Sequence, residues 1–112
     1  MKTSEVIFVS APYTHSDKDV VNYRMKVVTE TLAQLASIGK VGISPLLMHF
    51  CLNTGIQLPS DFEFWKNYSL TLLSKSDLVM VLLLPGWAES EGVKEEINLA
   101  YELKIPVIYQ DI

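Results

Sequence analysis

Apolar residues along this chain fall alternately in short unbroken runs and in stripes spaced three or four apart. Val6–Ser10 is a compact apolar run ending in a serine, and it predicts a strand. Residues 11–16 are rich in hydroxyls and contain Pro12, the signature of a loop. From there the period lengthens. Val20 or Val21, Met25, Val28, Leu32, Leu35 and Ala36 share one face of a helix running to about Ile38, which Asp17 or Asp19 can cap and Gly39 ends. Residues 41–44 predict a short strand closed by Pro45, and 46–58 carry no clear period. Ser60 and Glu63 stand at capping-box spacing ahead of a helix over 60–74. The run 78–84 is apolar throughout, as in a strand covered on both sides; a helix over 89–103 and a strand over 106–110 follow.

This β-α-β-α-β-α-β order predicts an α/β fold: one domain over 1–112 with an open parallel sheet of about four strands and helices on both faces. Such sheets bind ligands at the carboxyl ends of their strands, near a switch in strand order. Three segments converge there: 10–16, 45–50 and 85–96. The topology therefore places Tyr13, Ser90 and Glu96 around one cleft.

The last helix carries the sharpest chemical signal. Val93, Ile97, Ala100 and Tyr101, with Leu103 beside them, form its apolar stripe, and Glu91, Glu95, Asn98 and Glu102 its wet face. Glu96 falls on the inner side. Helical side chains lean toward the N-terminus, so its carboxylate is expected over Gly92, where there is no side chain. Two readings fit: a ligand-binding acid, or an edge carboxylate that bonds a backbone group. Glu89 or Ser90 can cap this helix, and Ser90 with Gly92 lets a sugar or phosphate approach the backbone amides.

Composition narrows the partners. The 112 residues are 49% apolar and 20% charged, as in a globular domain. A net charge of −4 without a Lys/Arg cluster disfavours polymeric nucleic acid. No apolar run reaches the roughly 20 residues of a membrane span. The start, Met-Lys-Thr-Ser-Glu, leads directly toward the first strand without a signal-peptide pattern, so a cytoplasmic location is expected. The single Cys51 and the separated His15 and His49 give no metal site, and no cofactor is implied. A dinucleotide fold of the dehydrogenase type is disfavoured because no Gly-x-Gly-x-x-Gly follows the first strand.

The block Ser90-x-Gly92-x-x-x-Glu96-x-x-x-Ala100, followed by Ile105-Pro106-Val107-Ile108, resembles the nucleoside 2-deoxyribosyltransferase superfamily. Ile7-Phe8-Val9-Ser10-Ala11-Pro12-Tyr13 is similar to that superfamily's first strand and Ala-Gly-Pro-aromatic turn, and Asp77 stands where it has an Asp ahead of the third strand. The resemblance spans nearly the whole chain and is nearest to small bacterial and phage members. It implies a flavodoxin- or Rossmann-like fold and cleavage or transfer at the N-glycosidic bond of a nucleoside or nucleotide, by an N-glycosidase or a deoxyribosyltransferase. Glu96 matches the nucleophile, and Tyr13, in the turn after the first strand, could orient it or the ligand. Ser10, Ala11, Pro12, Ser90 and Gly92 would bind substrate, with Trp87 or His49 against the base. The competing class is a noncatalytic nucleotide-binding module.

Bland roles stand beside these. Tyr13 could plug the turn, Trp87 could pack over the helix start, and His49 could be a satisfied loop histidine. Asp77 is expected in a turn or cap, and Arg24 at a solvated position from which it could reach an anion. The sequence also departs from the superfamily. The Arg/Gly-rich loop of monophosphate-specific members is absent after the first strand, and Ser69 stands where an Asp that handles base or proton is common. Phe62, Trp65, Tyr68 and Leu72 form a bulky stripe on the second helix, which predicts a homodimer or a tetramer of dimers.

Overall fold

The computed structural model describes residues 4–112; the reading of the chain's first three residues lies outside them. Strands β1 (Val6–Ser10), β2 (Val41–Ile43), β3 (Leu78–Leu82) and β4 (Val107–Gln110) form one parallel sheet in the order β2-β1-β3-β4. The helices are α1 (Lys18–Ser37), α2 (Phe62–Ser74) and α3 (Glu91–Glu102), with 3-10 turns at Pro45–Thr54 and Trp87–Glu89. The expected four-stranded α/β sheet is thus present.

Strand alternation divides the interior. Ile7, Val9, Met80, Leu82 and Leu84 point to one face, where they meet Val27, Val28 and Leu35 of α1. Phe8, Val79 and Val81 point to the other, against Leu73 of α2 and Val93 and Ala100 of α3. β1 carries polar Ser10 at its carboxyl end, one alternation beyond Phe8 and in register with Val81. Its side chain is therefore aimed at the α3 face.

The element ends show where local signals competed. Asp17 caps α1 by accepting from Asp19 N, and Gly39 follows α1 at φ 80°, a conformation that favours glycine. At α2 the capping box does not form: Asp61 rather than Ser60 accepts from Phe64 N, at 3.1 Å. Ser44, expected as the last residue of β2, instead caps the 3-10 segment through Leu46 N. β3 stops two residues short of the apolar run, although Leu84 stays fully buried. Tyr101 and Leu103, assigned to the inner stripe of α3, are exposed; the drift of the 3.6-residue period turns that end of the stripe outward, and Ile105 packs on the core instead. At the far end of the sheet Asp77 accepts from Val6 N at 2.7 Å and its own amide donates to Val6 O. Asp77 thus ties the starts of β1 and β3 together, a structural role away from the cleft but across strands rather than within a turn.

Candidate active site

The chain leaves β1 for β2 on one side of the sheet and later enters β3 on the other, so the switch in strand order lies between β1 and β3. A cavity of about 650 Å³ opens there, within the range typical of small-molecule sites. Its walls come from the loop after β1 (Ala11, Pro12, Tyr13, Thr14), from Gly86, Glu89 and Ser90 after β3, and from the start of α3. α2 adds Phe62, Trp65, Lys66 and Ser69, a contribution the strand-end argument did not foresee.

Glu96 is buried at the floor of this cavity, 8% exposed. Ser10 Oγ donates to its Oε1 at 2.6 Å. No protein group among the described residues bonds Oε2, and no buried side-chain oxygen among them lacks a partner, so Oε2 is open to the cavity. Burial raises the Glu96 pKa from its ordinary 4.5 to about 7, and the Ser10 hydroxyl works against that rise. Near neutral pH the Glu96 carboxyl is therefore available in both forms, as a proton donor and, once ionised, as a nucleophile. Removing the Ser10 hydroxyl should push it higher still. Ser10→Ala is expected to move the acidic limb of any rate–pH profile upward and to cost about 1 kcal/mol of stability, read from a pH series and urea unfolding. An unmoved limb would place the titrating group elsewhere.

Ser90 is the N-cap of α3 and accepts from Val93 N at 3.3 Å. Gly92 lines the cavity beside it, and a Cβ there would meet nothing nearer than Ser90 Oγ at 3.9 Å, so the space over the helix start is vacant. Tyr13 lines the same cavity as Glu96 but does not orient it; the Tyr13 hydroxyl is bonded to His49 Nδ1. The Ser10 side chain reaches Glu96 first because alternation along β1 aims it there, whereas Tyr13 lies in the loop beyond. His49 lines an adjoining cavity rather than this one. Trp87 lines neither: it packs on the α2/α3 side of the core, with its ring 5.7 Å from that of Tyr109. Gly86, at φ 91°, turns the chain just before it. Trp87 accordingly packs on the core and borders neither of the two cavities.

Arg24 is the largest correction. It is buried, 7% exposed, rather than solvated. Its Nη1 donates to the carbonyls of Tyr13 (3.4 Å) and Thr14 (3.1 Å), and its Nη2 to that of Pro85 (3.1 Å). One guanidinium therefore joins the two loops that wall the cavity. A side chain at position 86 would put Cβ 2.8 Å from Nη2, so Gly86 is favoured by its backbone conformation, and any replacement would also displace the guanidinium. A sequence signal existed: Arg24 precedes Val27 and Val28 by three and four residues, on the buried face of α1.

The electrostatics are mildly anionic. Glu89, Glu91, Glu95 and Glu96 line the cavity with the cations Arg24 and Lys66. Lys66 pairs with Glu95 at 3.5 Å, and Arg24 is committed to its three carbonyls. No cluster of His, Cys, Asp and Glu among the described residues could hold a metal ion, and no helix described is long and apolar enough to cross a membrane.

The fold is similar to that of a 2-deoxyribosyltransferase from the psychrotolerant bacterium Bacillus psychrosaccharolyticus, with a TM-score of 0.67 over 95% of this chain and 72% of that one, at 18% identity. By sequence the chain belongs to the family described as a domain of unknown function, DUF1937, whose model matches residues 5–111. No curated protein matches it.

Proposed function

We propose that this protein cleaves or transfers the N-glycosidic bond of a nucleoside, with Glu96 as the nucleophile. The observation that carries the reading is the buried Glu96 carboxyl, held on one oxygen by Ser10 and open to the cavity on the other, with its pKa raised to about 7. Loss of a base from a sugar builds positive charge at the anomeric carbon. A carboxylate beneath that carbon stabilises the charge or bonds to it, and water or a second base then releases the sugar. Positive charge on the sugar would in turn draw Glu96 into its ionised form. Ala11, Pro12, Ser90 and Gly92 border the volume in which the sugar would lie.

The charge balance favours an uncharged nucleoside over a monophosphate. Three further carboxylates line the cavity, and both of its cations are already engaged. Incubation with a panel of ribo- and deoxyribonucleosides and their 5′-monophosphates, followed for free base by chromatography, tests the reading. Release from nucleosides is expected, with weaker release from monophosphates. Binding without release from any of them would leave a noncatalytic nucleoside-binding module.

The protein is further proposed to act as a homodimer or a tetramer of dimers. Of the expected α2 stripe only Phe62 is strongly exposed, at 58%; Trp65 and Tyr68 are half-buried and Leu72 packs on the core. Phe50, Leu52 and Ile56 from the preceding segment are also exposed, however. Exposed apolar side chains of that size, where they gather on one face, usually mark a partner surface. Light scattering should give at least twice the 12.6 kDa chain mass; a value near the chain mass at micromolar concentration overturns assembly.

A further inference from the structure

Departure of a base needs a proton, because a deprotonated base is a poor leaving group, and Ser69 is too weak an acid to give one near neutral pH. We propose that His49, steered by Tyr13, is the acid that protonates the departing base, and that the second cavity is the chamber in which the base lies. This rests on the glycosidic reading above.

The second cavity, about 490 Å³, adjoins the first: Tyr13, Thr14, Leu46, Phe62, Trp65 and Ser69 line both. A ligand with its sugar over Glu96 can therefore extend past Tyr13 into the second chamber. That chamber is walled mostly by apolar and aromatic side chains such as Met48, Leu52, Phe62 and Trp65. The Trp65 indole N–H is already spent on Pro59 O at 2.7 Å, so the ring offers hydrophobic surface rather than a free donor. Such walls suit a flat heterocycle.

Among the residues lining it, His49 and Tyr13 alone are titratable. The other acids and bases belong to the first cavity, where Lys66 is paired with Glu95. Partial burial raises the Tyr13 pKa, so the side chain stays a phenol and donates to Nδ1 when the imidazole is neutral. No protein group among the described residues bonds Nε2, and no buried side-chain nitrogen among them lacks a partner, so Nε2 is accessible for the base. Histidine is the side chain that changes charge nearest neutral pH. In the step itself Glu96 Oε2 forms a bond to the anomeric carbon as the bond from that carbon to the base nitrogen breaks. The bonding pair moves to the base, the proton on Nε2 of the imidazolium moves to a base nitrogen, and the neutral imidazole regains a proton from solvent.

The test compares deoxyguanosine with its 7-methyl derivative, whose base leaves neutral and needs no added proton. His49→Gln should lower release of guanine by roughly 10²-fold, the scale of a positioned general acid, and release of 7-methylguanine by less than about threefold. Tyr13→Phe, which keeps the ring, should show the same split to a smaller degree and serves if the histidine variant folds poorly. Glu96→Gln should depress both substrates alike. Equal losses on the two substrates, no loss on either, or a wild type that cleaves the 7-methyl compound alone would overturn the relay. Cleavage of neither substrate by the wild type, with none of the nucleoside panel cleaved, would overturn the glycosidic reading as well.

Discussion

Replacing Glu96 with glutamine should abolish most turnover while making the protein relatively more stable at alkaline pH. The amide keeps the volume of the carboxyl and can still accept from Ser10 Oγ, so the fold and ligand binding should survive. It cannot serve as a carboxylate nucleophile, and a loss of at least ~10²-fold is expected, in line with the removal of a positioned catalytic group. The stability effect has a defined sign. The folded-state pKa of about 7 lies above the ordinary 4.5, so the folded protein holds a proton that the unfolded chain releases between those values. Below about pH 4.5 both states are protonated and burial of the acid carries little penalty. As pH rises toward 7 the wild type loses stability relative to the variant, and above that the difference is constant. The full swing is about 3 kcal/mol. Urea unfolding of both proteins at pH 4.5 and pH 8 measures it. A stability difference that did not change with pH would mean that Glu96 is not desolvated as the buried site requires.

Replacing Arg24 with methionine should cost both stability and activity. Methionine preserves much of the apolar stem but none of the donors, so the carbonyls of Tyr13, Thr14 and Pro85 lose their shared partner. Bonds from a charged donor contribute roughly 1.5–3 kcal/mol each when well formed. The bond to Tyr13 is long at 3.4 Å, and part of the loss is recovered by water at the exposed loop, so a cost of about 2–4 kcal/mol is expected. In a domain of this size that corresponds to roughly 10–20 °C in Tm. Activity should fall further than stability explains, because the two loops would no longer face each other across the cavity at a fixed distance. Lysine should restore little: it has the charge but not the planar fork that reaches both loops. A variant with unchanged Tm and turnover would show that the loops hold their positions without the guanidinium.

Much of this molecule is written in the order of its residues. The periodicities locate all four strands and three helices to within a few positions, because alternation and 3.6-residue spacing report which side chains must leave water. The position of Glu96 on the inner side of α3 is equally local, since Val93 and Ala100 bracket it on one helical face. Parallel topology then follows from element order, and with it the location of the cleft.

What the sequence could not settle are the partners of polar groups, because hydrogen bonds between residues far apart in the chain leave no periodic trace. Ser10 and Glu96 stand 86 positions apart, and Arg24 and Pro85 stand 61 apart; each pair meets only once the sheet has assembled. Tyr13 was legible as a cleft residue, yet its choice of His49 over Glu96 depends on how the 3-10 segment Pro45–Thr54 folds back, in a region without a clear hydrophobic period. For Trp87 stacking on a ligand and packing over the helix start are equally open in the sequence, because a loop residue's direction is set by the turn beneath it; after the left-handed Gly86 its ring lies beside Tyr109. The sequence by itself determined the sheet, its order of elements and the acid at its edge. Tertiary structure decided which loops that acid faces and which polar groups hold them there, since those contacts form only after distant strand ends have been brought together.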